Sequence, residues 1–297
     1  MIPSLGSEVS SGLLLVDKPG GITSHGAVAA ARRALGTRKV GHAGTLDPMA
    51  TGLLILGVER ATRLLGHLAL HDKEYLATIR LGGTTVTDDA EGELLESAPA
   101  KILGAVTESD IDQAMRALTG QILQVPSSVS AIKVDGKRAY ARVRAGEDVE
   151  LRARAVTVSQ FSQTAIHRGA QWIDIDVQVE CTTGTYVRAL ARDLGCALGV
   201  GAHLTMLRRT RIGPFGVELA SNVDSLEAGA LIPLAEAAQA CFPCEVLSEE
   251  DADHVSHGRR ISLIVNEPTA LLSQQGTLLA LAETEGERMR YLAVFVG

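Results

Sequence analysis

Short apolar runs separated by glycine-rich turns mark the first part of the chain. "GLLLVDKPGG" (12–21) and "LLILGV" (53–58) each predict a short buried strand, and "KEYLATIRLGG" (73–83) predicts a third strand that ends in glycines. Ser24 predicts a cap for the helix that follows it, and Gly36 predicts where that helix ends. These elements surround residues 41–52, which carry no periodic pattern and are expected to form a loop.

The middle of the chain mixes helical and alternating patterns. Residues 84–96 are polar and acidic and predict a solvated loop that runs into a hairpin, and residues 107–120 predict a capped amphipathic helix. "WIDIDVQVE" (172–180) alternates as a strand does, "GTYVRALARDLGCALG" (184–199) predicts a helix, and "HLTMLRRTRIGPF" (203–215) predicts an apolar and basic strand. Because strands and helices do not alternate regularly, we predict an α+β fold with a mixed, mainly antiparallel sheet.

The last part of the chain predicts a separate small module. A linker is expected at 230–245, where Pro233 and Pro243 lie, and a capped short helix at 248–258. The stretches "RRISLIV", "TLLALAE" and "MRYLAVFVG" that follow are β-like. We therefore predict a domain at 10–230 and a β-rich domain at 245–297.

Composition places the chain among soluble globular proteins. It has 297 residues, of which 46% are hydrophobic and 21% are charged. No apolar run approaches the roughly 20 residues that cross a bilayer. The first residues lack a basic start and include Glu8, which argues against a secretory signal. We predict a cytoplasmic protein.

The four cysteines predict no metal site. Cys181 and Cys196 lie within apolar patterns and are interpreted as core residues. Cys241 and Cys244 have the spacing of a redox or zinc pair, but no second cysteine pair accompanies them and the next histidines follow too closely for a zinc finger. We interpret them as an inert pair at the domain junction.

The net charge of −7 is distributed unevenly. Residues 216–297 carry four basic and thirteen acidic residues, whereas residues 131–160 carry seven basic and four acidic ones. Local basic clusters bind phosphates whatever the total charge. The segment 130–154 has no clean period, which predicts a loop that is mobile or ordered by a partner.

Asp47 is the first candidate for chemistry. It lies in "GHAGTLDPMATGLLILG" (41–57), where Pro48 disfavours a helical conformation at Asp47 and the glycines allow a backbone or a ligand to come close. An Asp-Pro pair in a glycine-rich loop is also typical of a plain turn. On the residues alone both interpretations stand.

Three further residues have a structural and a functional interpretation. Tyr75 in an alternating strand is typical of a core residue, but the chain has few aromatic side chains on which a base could stack. Arg188 could form a surface ion pair or hold a catalytic carboxylate ionised, and His42 could be a structural loop residue. The sequence contains no spacing typical of a hydrolytic triad, no Walker loop and no dinucleotide fingerprint.

Six motifs together resemble a known family. In chain order they are "GLLLVDKPGGITS", "GHAGTLDPMATGLL", "KEYLATIRLGGTTVTDDAEG", "SAIKVDGKRAY", "CTTGTYVRALARDLG" and "GAHLTMLRRTRIGPF". They resemble the TruB-type tRNA pseudouridine synthases in the order of the family, from about residue 12 to 216. The resemblance implies that the uridine at position 55 in the T-loop of tRNA is isomerised to pseudouridine, without a cofactor or a metal. It also implies a pseudouridine-synthase catalytic domain followed by a PUA-like domain.

The resemblance implies roles for individual residues. Asp47 corresponds to the catalytic carboxylate, either as nucleophile on C1′ or as the base that removes a ribose proton. Tyr75 corresponds to the aromatic residue that stacks on the flipped uracil, and Arg188 to the arginine that pairs with the carboxylate. The base must leave the stack, because its C1′ and C5 are otherwise out of reach.

Other matching positions imply substrate contacts. Leu207 corresponds to an apolar contact to the base, and His42 to a residue that helps to open the RNA loop. Lys18 is expected to shape the site wall with Pro19, and Tyr186 to pack near it. The basic segment resembles a loop that grips RNA, and its phosphate contacts would be Lys133, Lys137, Arg138, Arg142 and Arg144.

The predicted partner is tRNA, bound at its T-loop and stem, with no membrane and no obligatory protein partner, and we expect a monomer. The predicted C-terminal domain is short and acidic, so its RNA contacts rest on analogy, with Arg259 and Arg260 as the best positions. Three alternatives remain: a guide-RNA-dependent synthase, a tRNA-folding chaperone that acts by binding alone, and an unrelated acidic interaction protein. The last explains the charge but none of the motifs.

Overall fold

The computed structural model describes residues 10–127, 152–286 and 288–296, with the backbone alone of residues 133–134 and 137–138. The chain divides into two compact units. The first runs to Pro48 and includes Gly52–Ala69 and the chain from Gly213 onward. The second comprises Met49–Thr51 and Leu70–Ile212.

Two antiparallel strands form the centre of the first unit. The strands Gly12–Lys18 and Thr51–Val58 pair with Leu14 opposite Leu56, and the helix Ser24–Leu35 packs its alanine and valine side chains on them. Short strands complete this part: Val40–Ala43, Phe215–Gly216, Ser221–Asn222 and Ile232–Pro233. The pairing of Ser221–Asn222 with the first strand is parallel, so the sheet is mixed as predicted.

The helix Ser24–Leu35 begins one residue away from the predicted cap. Thr23 is the capping residue, because its side chain accepts a hydrogen bond of 3.0 Å from the backbone N–H of Gly26. Ser24 is instead the first helical residue, and its hydroxyl bonds elsewhere. The predicted end is confirmed, since Gly36 adopts a left-handed conformation with φ 67°.

Five neighbouring antiparallel strands form the main sheet in the described part of the second unit. Their spatial order is Ala202–Ile212, Lys73–Leu81, Ile173–Cys181, Arg154–Arg168 and Gly120–Gln124. Three helices accompany them, namely Ala100–Ala105, Glu108–Ala117 and Val187–Ala197. In Ile173–Cys181 every second residue is buried, which confirms the alternation predicted from the sequence. The α+β class with mainly antiparallel sheets is therefore confirmed.

Residues 84–96 differ in part from the prediction of a solvated loop. The hairpin is present, since Gly83–Thr85 pairs with Leu94–Ser97. However, Asp89 between the two strands is only 3% exposed. The prediction of a solvated loop is wrong at this residue, because Asp89 forms an ion pair with the buried Arg188.

The C-terminal part of the first unit is a separate four-stranded sheet. Its strands are, in order, Cys244–Val246, Thr269–Leu272, Leu278–Glu285 and Arg288–Val294. Ser248 caps the helix Glu249–Ser256 as predicted.

The predicted linker at 230–245 is partly wrong, because it contains the helix Leu234–Cys241. "RRISLIV" forms no strand, although Ile261 within it is buried. The domain boundaries at 230 and 245 stay a prediction.

The burial of two cysteines and the lengths of the helices test two further predictions. Cys181 is buried as predicted, but Cys196 is exposed, so its interpretation as a core residue was wrong. No helix in the described ranges is both long and apolar enough to cross a membrane.

A glycine fixes how the helix Val187–Ala197 lies on its neighbour. A Cβ added at Gly195 would come within 2.2 Å of the backbone nitrogen of Ala202. We therefore expect Gly195→Ala to lower the free energy of unfolding by about 1–3 kcal/mol. Gly104 is the matched control, because it is also helical and a Cβ there meets nothing within 4 Å.

Gly104→Ala should be neutral or stabilising by up to about 1 kcal/mol, since alanine has the higher helix propensity. Denaturant unfolding of both variants measures the difference. An unchanged midpoint for Gly195→Ala would show that the helix moves away from the strand without cost.

Candidate active site

The loop that carries Asp47, residues 44–50, is held by hydrogen bonds on both sides of the carboxylate. On one side, the hydroxyl of Ser24 accepts from the backbone N–H of Leu46 at 2.9 Å and donates to its carbonyl at 3.1 Å. On the other side, the carbonyl of Pro48 accepts from the backbone N–H of Gly21 at 2.9 Å. Asp47 itself is half-buried between these two anchored neighbours.

Lys18 anchors the same loop. Its ammonium group donates to the carbonyls of Pro19, Ile22 and Pro48 at 2.9, 2.8 and 3.2 Å, and the side chain is fully buried. Three carbonyl dipoles suit the three donors of a buried ammonium group. Lys18 is thus bonded to the residue that follows Asp47, and its predicted part in shaping the site wall stays a prediction.

The glycines of this loop have the conformations that the sequence suggested. Gly44 and Gly52 adopt φ 88° and 98°, where a side chain would strain the backbone. A Cβ at Gly41 would come within 2.9 Å of the side chain of Leu65. The loop thus depends on glycine both for its turns and for close packing.

His42 precedes the loop and contacts a second histidine. Its ring meets that of His25 edge to face, with centroids 5.3 Å apart and planes at 84°. The pair lies beside the Asp47 loop in the chain and in the same unit. Its predicted part in opening the RNA loop stays a prediction.

Tyr75 and Leu207 lie on one face of the sheet in the second unit. Tyr75 is opposite Arg209, and Leu207 is opposite Ala77, on the paired strands Lys73–Leu81 and Ala202–Ile212. Opposite residues on paired strands project to the same face, so the aromatic ring and the apolar side chain are diagonal neighbours. Both are buried, with 7% and 6% of their surfaces exposed.

Arg188 is held at the start of the helix Val187–Ala197. Its Nη1 donates to the carbonyl of Thr87 at 2.7 Å and to the hydroxyl of Ser127 at 3.3 Å, and its Nε lies 3.6 Å from Oδ2 of Asp89. Arginine and aspartate are both buried, so the interpretation of Arg188 as a surface ion-pairing residue is wrong. The guanidinium group is therefore fixed in one orientation.

Asp89 is the residue that sequence reasoning missed. Its carboxylate accepts hydrogen bonds from the hydroxyl of Thr87 and from the backbone N–H of Glu91. In the neighbouring Asp88, Oδ2 lies 3.6 Å from Nη1 of Arg192. Burial raises the pKa of the Asp88 carboxyl above its ordinary value. No local pattern connects Asp89 with Arg188, because the pair joins segments far apart in the chain. The adjacent acidic residues were the only signal.

Tyr186 enters the site through its backbone. Its N–H donates to the side-chain oxygen of Gln124 at 2.8 Å, and its carbonyl accepts from the amide of Gln124 at 3.1 Å. Gln124 is buried and thereby fixes the residue that caps the Arg188 helix. The phenol ring of Tyr186 is half-buried.

Two buried bases flank Tyr75. Arg209 lies opposite it, and Lys73 lies two positions before it on the same face. Burial, followed by the nearby charge of Arg209, lowers the pKa of Lys73 to about 8. Cys181 is opposite Lys73, and burial raises the pKa of its thiol to about 11. Two basic side chains therefore lie beside Tyr75 on this face.

The described residues hold no group of three or more histidine, cysteine or acidic side chains that could bind a metal ion. Burial raises the pKa of Cys241 to about 12 and raises that of Cys244, which disfavours thiolate chemistry at this pair.

The segment predicted to grip RNA lies outside the described residues, apart from a short backbone hairpin of Lys133–Val134 with Lys137–Arg138. The predicted contacts of Arg142 and Arg144 therefore stay predictions.

The predicted residues thus form two sets. Asp47, His42 and Lys18 belong to the first unit. Tyr75, Arg188, Leu207 and Tyr186 belong to the second unit. Lys18, Tyr75, Arg188 and Leu207 are buried, whereas His42, Asp47 and Tyr186 are half-buried.

Family models match most of the chain. A model described as the TruB family pseudouridylate synthase N-terminal domain matches residues 32–187. A second, described as the tRNA pseudouridylate synthase B C-terminal domain, matches residues 188–240. The chain belongs to the TruB family of pseudouridylate synthases, which confirms the resemblance seen in the motifs.

Curated relatives are similar over nearly their full length. The tRNA pseudouridine synthase B of Leifsonia xyli subsp. xyli is 55% identical over 293 residues, covering 97% of this chain and 97% of the relative. The protein of the same name from Cutibacterium acnes is 56% identical over 287 residues, covering 95% and 96%.

A solved structure shares the fold. In the crystal structure of a Cbf5-Nop10-Gar1 complex, the matching chain superposes with a TM-score of 0.73 at 28% identity, covering 97% of this chain and 86% of that one. A structure of an H/ACA RNP bound to a substrate RNA containing 2′-deoxyuridine matches with a TM-score of 0.71 at 27% identity, covering 96% and 85%.

The anchoring of the Asp47 loop by Ser24 can be tested by mutation. Ser24→Ala removes both hydrogen bonds to Leu46 and leaves a buried N–H and a carbonyl without partners, so we expect a loss of about 1–3 kcal/mol in stability. A shifted loop should also lower kcat for pseudouridine formation by on the order of tenfold or more. Urea unfolding and steady-state kinetics measure the two effects.

Thr23→Ala is the matched control. It removes the helix cap and costs about 1 kcal/mol, but Thr23 makes no hydrogen bond to the Asp47 loop. The control should therefore keep kcat. Equal kcat values for both variants, measured on folded protein, would limit Ser24 to a role in stability.

Proposed function

We propose that the protein isomerises the uridine at position 55 in the T-loop of tRNA to pseudouridine, with Asp47 as the essential carboxylate. The observation that carries the proposal is the rigid presentation of Asp47 between two hydrogen-bonded neighbours. The names of the curated relatives support tRNA as the substrate. The match to an RNA-bound structure agrees with an RNA substrate.

The reaction exchanges one glycosidic bond for another. The bond between N1 and C1′ breaks, the base rotates, and a bond between C5 and C1′ forms. C5 then loses its proton, and N1 gains one. A single ionised carboxylate begins this sequence either by attacking C1′ or by removing a ribose proton. The hydrogen bonds of its neighbours and its half-buried side chain support Asp47 as the group that follows either route.

Tyr75 and Leu207 would form the platform for the extruded base. Extrusion costs a few kcal/mol, and stacking on an aromatic ring is worth roughly 1–3 kcal/mol per base, which offsets part of that cost. Their position as diagonal neighbours on one sheet face suits a flat ring. The phenol of Tyr75 would also lie where a proton leaves C5.

Arg188 would hold the catalytic carboxylate ionised. The bonds to Thr87, Ser127 and Asp89 fix its guanidinium group before any substrate binds. A pre-oriented cation stabilises an anion without reorganisation during the reaction. Gln124 would contribute by fixing the start of the Arg188 helix.

Recognition of the RNA would use the basic segment 130–154 and residues around the Asp47 loop, including His42. We propose that the protein acts on tRNA as a cytoplasmic monomer without an obligatory protein partner. The basic segment supports this proposal because it supplies phosphate contacts within the chain itself. The PUA-like role of the C-terminal sheet is proposed from its position in the chain.

Asp47→Asn tests the proposed reaction. The amide retains the shape of the side chain but neither attacks C1′ nor removes a proton, so release of tritium from tRNA labelled at C5 of uridine should fall by at least about a thousandfold. Binding of tRNA should change little. Asp224→Asn, an exposed change of the same charge in the same unit, is the control and should keep full activity.

Substantial turnover by Asp47→Asn would remove the residue from the mechanism. Absence of turnover in the parent protein, with tRNA still bound, would favour a chaperone or a synthase that needs a guide RNA.

Neutralising Arg142 and Arg144 tests the RNA-gripping segment. Each lost phosphate contact lowers the salt dependence, so the double change to glutamine should weaken tRNA binding and reduce the slope of log K against log salt by about 1–2. Arg33→Gln with Arg116→Gln removes the same charge from two exposed helical positions and should leave the slope nearly unchanged. Equal slopes for the two double variants would contradict the assignment of the segment.

A further inference from the structure

The second unit contains a cavity that the proposed reaction does not use. Its volume is about 560 Å³, which falls within the range of small-molecule sites. The lining combines apolar walls with a few polar side chains and consists of Arg80, Leu81, Gly82, Gly83, Leu94, Ser97, Ala98, Ala100, Gln171, Trp172 and His203.

Arg80 presents a fixed guanidinium group to this cavity. Its Nε and Nη2 donate to the two carboxylate oxygens of Asp174, both at 2.7 Å, and its Cζ lies 4.8 Å from the centre of the Trp172 ring. Its Nη1 makes no hydrogen bond within the part of the chain that the structure describes. A donor held in this way needs little ordering to bind an acceptor.

His203 supplies a complementary acceptor. The ring is only 9% exposed, and its Nδ1 lies 2.9 Å from the carbonyl of Gly83. A carbonyl only accepts hydrogen bonds, so Nδ1 carries the hydrogen, and the neutral ring then offers a lone pair at Nε2. Nε2 makes no hydrogen bond to any described residue. A ring nitrogen without a protein partner can accept a hydrogen bond from a ligand that enters the cavity.

The donor and the acceptor are neighbours on the sheet. Arg80 is directly opposite His203 on one side and Asp174 on the other, so the three side chains share one face. Tyr75 lies an odd number of positions from Arg80 on the same regular strand and therefore projects from the other face. The cavity is thus distinct from the face that carries the proposed base platform.

The charge of the site selects a neutral ligand. The bidentate contact with Asp174 already balances Arg80, so an added anion would face the carboxylate at close range. A neutral group that accepts a hydrogen bond from Nη1 of Arg80 and donates one to Nε2 of His203 gives both atoms a partner. The lactam edge of a nucleobase, with N–H beside C=O, has these features, and uracil and guanine carry it.

The walls of the cavity suit the faces of a flat ring. Trp172 is held rigidly, because a Cβ on Gly169 would come within 2.4 Å of its ring on one side and Arg80 covers the other. Leu81, Ala98 and Ala100 add apolar atoms to the lining. Leu94 lies at the rim, where its side chain is 60% exposed.

We propose that this cavity binds a nucleobase with a lactam edge, uracil or guanine, which donates from its N–H to Nε2 of His203 and accepts at its carbonyl from Nη1 of Arg80. The base could belong to an RNA or to a free nucleoside, and the chemistry of recognition is the same. The site does not depend on the reaction proposed for Asp47.

The chain carries a built-in reporter for this cavity, since Trp172 is its only tryptophan. Titration of the full-length protein with guanosine or uridine should change the Trp172 fluorescence in a saturable way. 3-Methyluridine keeps the ring and the carbonyls but lacks the N–H, so it is the matched probe and should bind at least about tenfold more weakly. Equal responses to uridine and 3-methyluridine, or no response to any nucleoside, would overturn the proposal.

His203→Asn tests the acceptor directly. The asparagine amide can still donate to the carbonyl of Gly83, but nothing replaces Nε2, so the response to guanosine should weaken at least about tenfold. An undiminished response would contradict the assigned contact. If the variant does not fold, the comparison of the two uridine probes on the parent protein still decides the question.

Two further arms distinguish the sources of the base. If RNA supplies it, His203→Asn should also weaken the binding of an RNA with unpaired uridines and guanosines. If a free nucleoside occupies the cavity, RNA binding should be unchanged while the nucleoside response is lost. Pseudouridine formation is measured separately, so a failure of this site and a failure of the proposed reaction give different results.

Discussion

The placement of one carboxylate depends on hydrogen bonds that are buried beneath its loop. The loop of Asp47 has little regular structure, and its shape comes from Ser24 on one side and from Lys18 with Gly21 on the other. Buried donors and carbonyls that lose their partners cost about 1–3 kcal/mol each, so the native arrangement is strongly favoured over a shifted loop. The strand Gly12–Lys18 and the helix Ser24–Leu35 therefore stabilise the fold and also position the side chain on which the proposed chemistry depends.

In the second unit, hydrogen bonds and an ion pair fix the guanidinium group of Arg188 in the same way. Arg188 is buried, and its neighbours Thr87, Ser127 and Asp89 come from segments remote in sequence. A buried guanidinium group without such partners would be expensive. Gly195 adds a packing constraint, since the Arg188 helix lies too close to Ala202 for any side chain there. The bonds of Arg188 and the close packing at Gly195 therefore both fix the position of the helix Val187–Ala197.

Periodic patterns predicted most of the fold, and contacts between distant segments account for what they missed. The alternation in Ile173–Cys181 and the helix that ends at Gly36 followed from spacing alone. Thr23 and Ser24 are adjacent hydroxyl residues, and only the position of Leu46 decides which of them caps the helix. Motifs indicated Asp47, Tyr75 and Arg188 as candidate site residues, whereas Asp89 lies in an acidic stretch that predicted a solvated loop.

The most deeply buried charged side chains among the described residues are mainly basic, although the chain as a whole is acidic. The net charge is −7, yet among the described residues the buried charged side chains are four bases, Lys18, Lys73, Arg188 and Arg209, and one acid, Asp89. Acidic residues are concentrated instead in 216–297. Local fields, rather than net charge, govern the approach of a charged ligand. An acidic protein is therefore compatible with a polyanionic substrate, because basic side chains act where they cluster, as in residues 131–160.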